Sequence, residues 1–361
     1  MSTSKRTPQL KSAPVVLPAW ASEAGWESDV VISTRARLAR NVRGVPFPGR
    51  ASPADLRAVV DAVDIVLKSP GKELAGLRPV DIDRLDPPQR SVLVDSHLIS
   101  VQHATSGPSR RALVDDRHTV SVMVNEEDHL RIQAILPGHQ IPRAWQIADA
   151  LDDAFGEFLD YARHPRHGYL TASLSNCGTG LRASVMAHLP GIALVGRLEE
   201  SLTAAQTLGT SIRGSFGENT GMAGDVFQLS NAVSIGLTEN QIISRLGAVV
   251  TYLVTDELAA RELLWRTRPE IVEARVADAK ARLKASTRLS SSEAMSILST
   301  LRLAHHFGMP GGVSPVVFNE LLASMRLGAQ FVLGRKAHYT FYEETRRPAL
   351  IRNKIRNSGA S

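Results

Sequence analysis

The chain has 361 residues, 43% of them hydrophobic, with a formal net charge of +6 and a pI near 9.7, so it can build one large core or two ordinary ones and attracts anions. Its single cysteine, Cys177, excludes an internal disulfide, and no run of about 18 uncharged apolar residues exists to cross a membrane. Met1 to Lys11 lacks the apolar stretch of an export signal, and aromatic residues, at 5%, do not interleave with Lys or Arg as a nucleic-acid platform requires; the cytoplasm is the expected compartment.

Residues 1–25 read as a flexible tail. Val30-Val31-Ile32 opens an apolar stretch that continues extended through Ser33-Thr34-Arg35-Ala36-Arg37, which puts Arg35 and Arg37 on one face. Ser52-Pro53-Ala54-Asp55 supplies an N-cap, a first-turn proline and an acidic first turn for a helix whose inner face is Leu56, Val59, Val60, Val63 and Val66. From Thr119 the sequence alternates with period two, pauses at Glu126-Glu127-Asp128-His129, and resumes as Leu130, Ile132 and Ala134 against Arg131 and Gln133: two strands joined by an acidic turn. A helical pattern spans 142–163, and short apolar runs at Tyr169-Leu170-Thr171 and 192–195 predict further strands. Beyond Gly236 the pattern predicts helices over 239–266, 269–285, 291–306, 315–332 and 336–355, bounded by Thr238, Ser290 to Ser292, the Gly308 to Gly312 turn and Gly334. The expected fold is α+β, an antiparallel sheet flanked by helices, followed by an all-helical C-terminal domain, with units at 26–240 and 241–361.

Arginines recur beside glycines or carboxylates: Arg35 and Arg37, Arg131 after the acidic turn, Arg182 after Gly178-Thr179-Gly180, and Arg213 before Gly214 and Gly217. Guanidinium groups are permanently charged and match phosphate oxygens in pairs, so such a set can hold a triphosphate without a glycine cradle. The chain has neither a Walker A lysine motif nor a protein-kinase glycine loop. Glu126, Glu127 and Asp128 beside Arg131, and Glu218 after Arg213, interleave carboxylates with the anion-binding residues, which suits a cationic acceptor. A guanidinium is a poor nucleophile while protonated, and two carboxylates that orient it and take its proton would make phosphoryl transfer to nitrogen feasible. Other roles stay open at this point: Arg40 can complete a salt bridge or cap a helix, Glu126 and Asp128 can satisfy turn amides and Arg131, and His97 can be a packed core histidine.

Four ordered blocks, Ser33-Thr34-Arg35-Ala36-Arg37-Leu38-Ala39-Arg40-Asn41, Val124-Asn125-Glu126-Glu127-Asp128-His129-Leu130-Arg131-Ile132, Asn176-Cys177-Gly178-Thr179-Gly180-Leu181-Arg182-Ala183-Ser184-Val185 and Arg213-Gly214-Ser215-Phe216-Gly217-Glu218, closely resemble the ATP:guanido phosphotransferase family. Met123 to His129, Val185-Met186-Ala187-His188-Leu189-Pro190 and Phe227-Gln228-Leu229-Ser230-Asn231 are most similar to its bacterial protein-arginine kinase branch. The resemblance implies that Arg35, Arg37, Arg131, Arg182 and Arg213 bind the phosphates of ATP, within ATP-binding stretches that include Ser33, Thr34, Ala36, Ala183, Ser184, Val185, Met186, Gly214, Ser215, Phe216, Gly217 and Glu218. It implies further that His97 lies against the nucleotide and that Glu127 and Glu218 hold the target guanidinium, with Asp128 and Ser173 beside them. Mg2+ would come with ATP, and no metal site of the protein's own is expected. Phosphagen kinases carry an all-helical domain before the first arginine block; with only about thirty residues here, the site is expected to admit an arginine presented on another protein. The branch implies unfolded or misfolded protein substrates marked for regulated proteolysis, a regulatory activator, an AAA+ protease and a homodimer. A kinase of a small free guanidino compound and a weakly active adaptor binding ATP or arginine are the alternatives.

Two departures from the family pattern stand out. Ser173 replaces the cysteine that usually opens its Cys-Pro-Thr-Asn block, and a hydroxyl carries no charge near neutral pH. In the C-terminal part, Glu343-Glu344-Thr345-Arg346-Arg347-Pro348 stands where the branch has an Arg-Asp-x-x-Arg-Ala motif that senses phosphoarginine, and Glu343 would repel the phosphate.

Overall fold

A computed structural model describes residues 17–69, 71–105, 107–214, 223–325 and 337–359. In chain order the strands are β1 (Val31–Arg40), β2 (Arg78–Asp81), β3 (Arg111–Val114), β4 (Val120–Val124), β5 (Leu130–Pro137), β6 (Arg163–His164), β7 (Gly168–Tyr169), β8 (Leu181–His188), β9 (Thr210–Gly214) and β10 (Val226–Asn231). The helices are α1 (Ala19–Ser22), α2 (Pro53–Leu67), α3 (Pro87–Asp95), α4 (Val101–Thr105), α5 (Ile141–Gly156), α6 (Pro190–Leu194), α7 (Leu198–Thr207), α8 (Glu239–Thr267), α9 (Pro269–Ala285), α10 (Ser291–His306), α11 (Pro315–Ser324) and α12 (Ala337–Asn357).

Eight strands form one sheet in the order β2-β3-β4-β5-β1-β8-β10-β9, each antiparallel to its neighbours, and β6 and β7 pair separately. The period of two sorts the sheet into unlike faces. Ala36, Leu38, Ile132, Ala134, Leu181, Ala183 and Val185 are buried in the main core, packed against α5 and α8, while Arg35, Arg37, Arg131, Gln133, Arg182 and Ser184 alternate with them and stand on the other face. A register shift between Val31 and Ser33 lets Val31 join this core while Ile32 joins a second cluster with Met295, Leu298, Leu301, Phe318 and Ile351 of the C-terminal helices.

Local signals in the sequence set the helix starts. The Ser52 hydroxyl accepts from Asp55 N while the Asp55 carboxylate accepts from Ser52 N, and the same reciprocal cap opens α8 at Thr238 with Gln241 and α10 at Ser290 with Glu293.

Several expected boundaries move. The run 192–195 is the end of the short helix α6 and its C-cap Val195 rather than a strand, because Pro190 at its first turn presets helical φ and Glu257 receives the free Gly191 and Ile192 amides. The helix expected over 142–163 ends at Gly156, and Tyr161 makes an isolated bridge to Val42. The strand at 169–171 shrinks to Gly168–Tyr169. The α11 helix ends at Ser324 with Met325 as its C-cap; 326–332 of its expected span and Gly334 lie outside the described residues. Within the expected tail, α1 buries Trp20, and the inner face of α8 from Ile242 to Ala260 belongs to the sheet's own core. The stretch 343–348 sits within α12, where Glu343 and Arg347 are buried, Arg346 Nη1 lies 3.6 Å from the Glu343 carboxylate, and Arg347 Nη1 donates to Leu289 O at 3.1 Å.

Candidate active site

The cleft is built on the polar face of the three central strands. Arg37 on β1 stands across from Arg182 on β8 and from Gln133 on β5, Arg35 stands across from Ser184, and Ala39 from Arg131. Gly180 makes this approach possible: its φ is +71°, and an added Cβ would meet Ala39 O at 2.7 Å. The guanidinium groups of Arg35, Arg37, Arg131 and Arg182 thereby lie close enough to repel one another. Burial foremost, then the charges of Arg131 and Arg182, pull the Arg35 guanidinium down to about 9, and Arg37 is displaced in the same direction by burial and by Arg35, Arg131 and Arg182. Arg182 is lowered by burial, Arg213 and Arg131, and donates to Ser230 Oγ at 3.3 Å. The Nε atoms of Arg37 and Arg182 are buried and find no acceptor among the described residues. A polyanion would relieve both the like-charge repulsion and these orphaned donors.

The acidic turn closes one side of the cleft. Asn125 sits at φ +61°, a conformation asparagine tolerates, and donates to Leu56 O and Ser109 O, each at 2.9 Å. Glu126 is buried against Arg131, whose Nη1 reaches both carboxylate oxygens at 2.7 and 2.9 Å, and it accepts from Ser100 Oγ at 2.5 Å. Burial alone would raise its pKa; Arg131 and the Ser100 and Glu127 hydrogen bonds outweigh it and hold the carboxyl down to about 2. Asp128 is buried, accepting from Asn41 Nδ2 at 2.6 Å and Ala172 N at 2.7 Å. Glu127 alone of the three is partly exposed, and among the described residues it has no ion pair. Burial, then Asp128 and Glu126, raises its pKa. One pocket takes in Arg37, Glu126, Glu127, Asp128, Arg131, Asn176 and Arg182, so cation clamp and carboxylate face a common space.

The other sequence-derived candidates divide. Arg213 is exposed on the edge strand β9, opposite Gln228 and close enough to Arg182 to lower its pKa. Gly214 ends β9, whereas Ser215, Phe216, Gly217 and Glu218 lie outside the described residues. Ser33, Ser184 and Met186 share the arginine face; Ala36, Ala183 and Val185 point into the core, and Thr34 is occupied by Gly138 O at 2.6 Å and Gln140 N at 3.0 Å. Ser173 lies one residue beyond the amide that holds Asp128, its hydroxyl 2.9 Å from Ser175 Oγ. Cys177 Sγ instead lies 3.3 Å from Thr171 Oγ1. Gln133 Nε2 donates to His97 O at 2.7 Å, and burial, followed by Arg35 and Arg37, pulls the imidazole down to about 3, so it is neutral. Arg40 faces away: its side chain pairs with Asp152 at 2.5 and 2.9 Å and stacks over Tyr169 at 3.6 Å, a structural ion pair. Sequence reading missed the parts played by Asn41 and Ser100; Asn41, at the end of the first arginine block, was the findable one.

An antiparallel sheet bearing convergent arginines and an acidic turn defines a phosphotransferase of the guanidino-kinase fold. Residues 58–260 match the family profile described as ATP:guanido phosphotransferase, C-terminal catalytic domain, and residues 269–361 match that of the protein-arginine kinase McsB C-terminal domain. This chain belongs to the ATP:guanido phosphotransferase family. It is 38% identical over 340 residues to a protein-arginine kinase of Pelotomaculum thermopropionicum, covering 94% of this chain and 96% of that one. It is 40% identical over 309 residues to the protein-arginine kinase of Desulforamulus reducens, covering 85% and 87%. Among solved structures, a lombricine kinase aligns with a TM-score of 0.58 at 25% identity over 67% of this chain and 71% of its own.

Proposed function

We infer that this chain is an ATP-dependent protein-arginine kinase. The observation that carries the reading is the shared pocket of Arg37, Arg131 and Arg182 with Glu127. Arg35, Arg37, Arg131, Arg182 and Arg213 bind the triphosphate and neutralise charge on the transferred group, and neutral His97 lies against the nucleotide. Glu127, together with Glu218, grips the acceptor guanidinium. A guanidinium nitrogen attacks Pγ in line; the N–P bond forms as the bond from Pγ to the ADP oxygen breaks, and the nitrogen's proton passes to a carboxylate. The raised pKa of Glu127 makes it the better proton acceptor of the two turn glutamates, because Glu126 is committed to Arg131. Asp128 acts by fixing the turn, and Ser173 lies at the edge of the acceptor site.

Mg2+ carried in with ATP would supply further charge neutralisation on the phosphates. The proposal extends to unfolded or misfolded cytoplasmic proteins as substrates, marked for an AAA+ protease, and to a homodimer served by an activator. It divides the chain into a catalytic unit over 26–240 and a helical unit over 241–361, with α8 packed on the sheet. A test offers ATP with either free arginine or a denatured, arginine-rich protein, read by mass spectrometry under non-acidic conditions. Acid-labile phosphate on protein arginines is expected; phosphorylation of the free amino acid alone would refute the reading.

A further inference from the structure

Trp20 belongs to the segment that the sequence presents as a tail, yet its indole is 1% exposed. The single-turn helix α1 packs on α11 and on β5, and Trp20 is part of the C-terminal cluster with Phe318, Leu321 and Leu322. It also touches the stretch around His97. Indole Nε1 donates to Ser96 O at 3.3 Å, and the indole meets the His97 ring edge to face, with centroids 5.1 Å apart and planes at 87°. His97 itself sits at φ +61°, in the left-handed region that non-glycine residues occupy uncommonly. Its backbone restraints are Gln133 on its carbonyl at 2.7 Å and Val94 O on its amide at 2.9 Å. Trp20 is the aromatic partner of its side chain.

We infer that Trp20 is a positioning residue for ATP: it fixes the His97 imidazole against the nucleotide, and the C-terminal helices fix Trp20. This inference rests on the reading of His97 as a nucleotide contact. Nothing in the indole needs to touch substrate; its ring edge removes rotamer freedom that His97 would otherwise lose on binding.

The experiment measures Mg-ATP affinity by titration calorimetry and the KM and kcat of protein phosphorylation for W20F, W20L, H97A and the W20L/H97A double variant. W20F, which keeps an aromatic edge, is expected to retain affinity; W20L, which keeps apolar bulk without the edge, should raise KM for ATP by roughly fivefold with little change in kcat. The W20L change should add nothing in the H97A background. Equal losses from W20L with and without His97 would overturn the positioning role. Unchanged affinity in H97A would overturn the nucleotide reading of His97 and the inference with it. In case W20L does not fold, a chain with Trp26, Trp145 and Trp265 changed to Phe leaves Trp20 as the single indole. Its emission should change on adding Mg-ATP and not do so in the H97A version; emission indifferent to Mg-ATP would overturn the inference.

Discussion

Arg37 on β1 and Arg182 on β8 are directly paired in the sheet register, two cations face to face, each with a buried Nε that meets no acceptor among the described residues. A fold does not gain stability from such a pair. Desolvated like charges cost free energy, and the cost is recovered only when an anion arrives.

The first consequence is a trade of stability against function at Arg35. Replacement by Met removes a guanidinium that burial and its neighbours disfavour, so the nucleotide-free protein should become more stable by about 1 kcal/mol, while ATP binding falls at least tenfold. Urea unfolding paired with nucleotide titration checks both signs. A variant that is destabilised and still binds ATP would contradict the clamp.

Glu126 gives a pH signature. Its folded carboxyl lies near 2, against an ordinary 4.5, so the stabilisation it provides is complete above about pH 4.5 and disappears as the pH falls toward 2. That term amounts to roughly 3 kcal/mol at most. The stability gap between wild type and E126Q should therefore narrow steadily over this window, as read by denaturant unfolding at each pH; a gap independent of pH would show that Arg131 does not hold this carboxylate.

For Glu127 the shift runs the other way, upward, caused first by burial and then by Asp128 and Glu126. The folded state thus holds its proton to a higher pH than the unfolded chain, and the acid limb of kcat/KM should lie above the ordinary glutamate range. Replacing Asp128 with Asn removes one of the charges responsible and should move that limb to lower pH. A limb that stays in place or moves upward would argue against Glu127 as the titrating group.

Arg40 is expected to matter for folding alone. Asp152→Ala strands a buried guanidinium and should cost about 3–5 kcal/mol, measured by thermal or urea unfolding, whereas R40M/D152L should recover much of that loss. Protein that keeps its stability after D152A would show that the pair is not structural.

Much of this arrangement was legible in the sequence because strands and caps carry strict local signals. The alternation around Arg35, Arg37 and Arg131 announced which side chains share a face, and the Ser52, Thr238 and Ser290 boxes announced where helices begin. What escaped reading depends on tertiary contact. A run as short as 192–195 has no period of its own, and its helical state is settled by the Glu257 carboxylate from α8. Trp20 lies in a short segment among Ala, Pro and Ser, and only packing against α11 and His97 gives it a place. Glu126 and Glu127 are adjacent and identical in type, yet Arg131 and Ser100 commit one and leave the other to the cleft.

The most direct measurement is a crystal structure of the protein with Mg-ADP, nitrate as a mimic of the transferred group, and an arginine-containing peptide. Arg35, Arg37, Arg131, Arg182 and Arg213 should contact the phosphates and nitrate, and the Glu127 carboxylate should hold the peptide guanidinium in line with them. Nucleotide bound elsewhere, or an acceptor guanidinium with no contact to Glu127, would contradict the account.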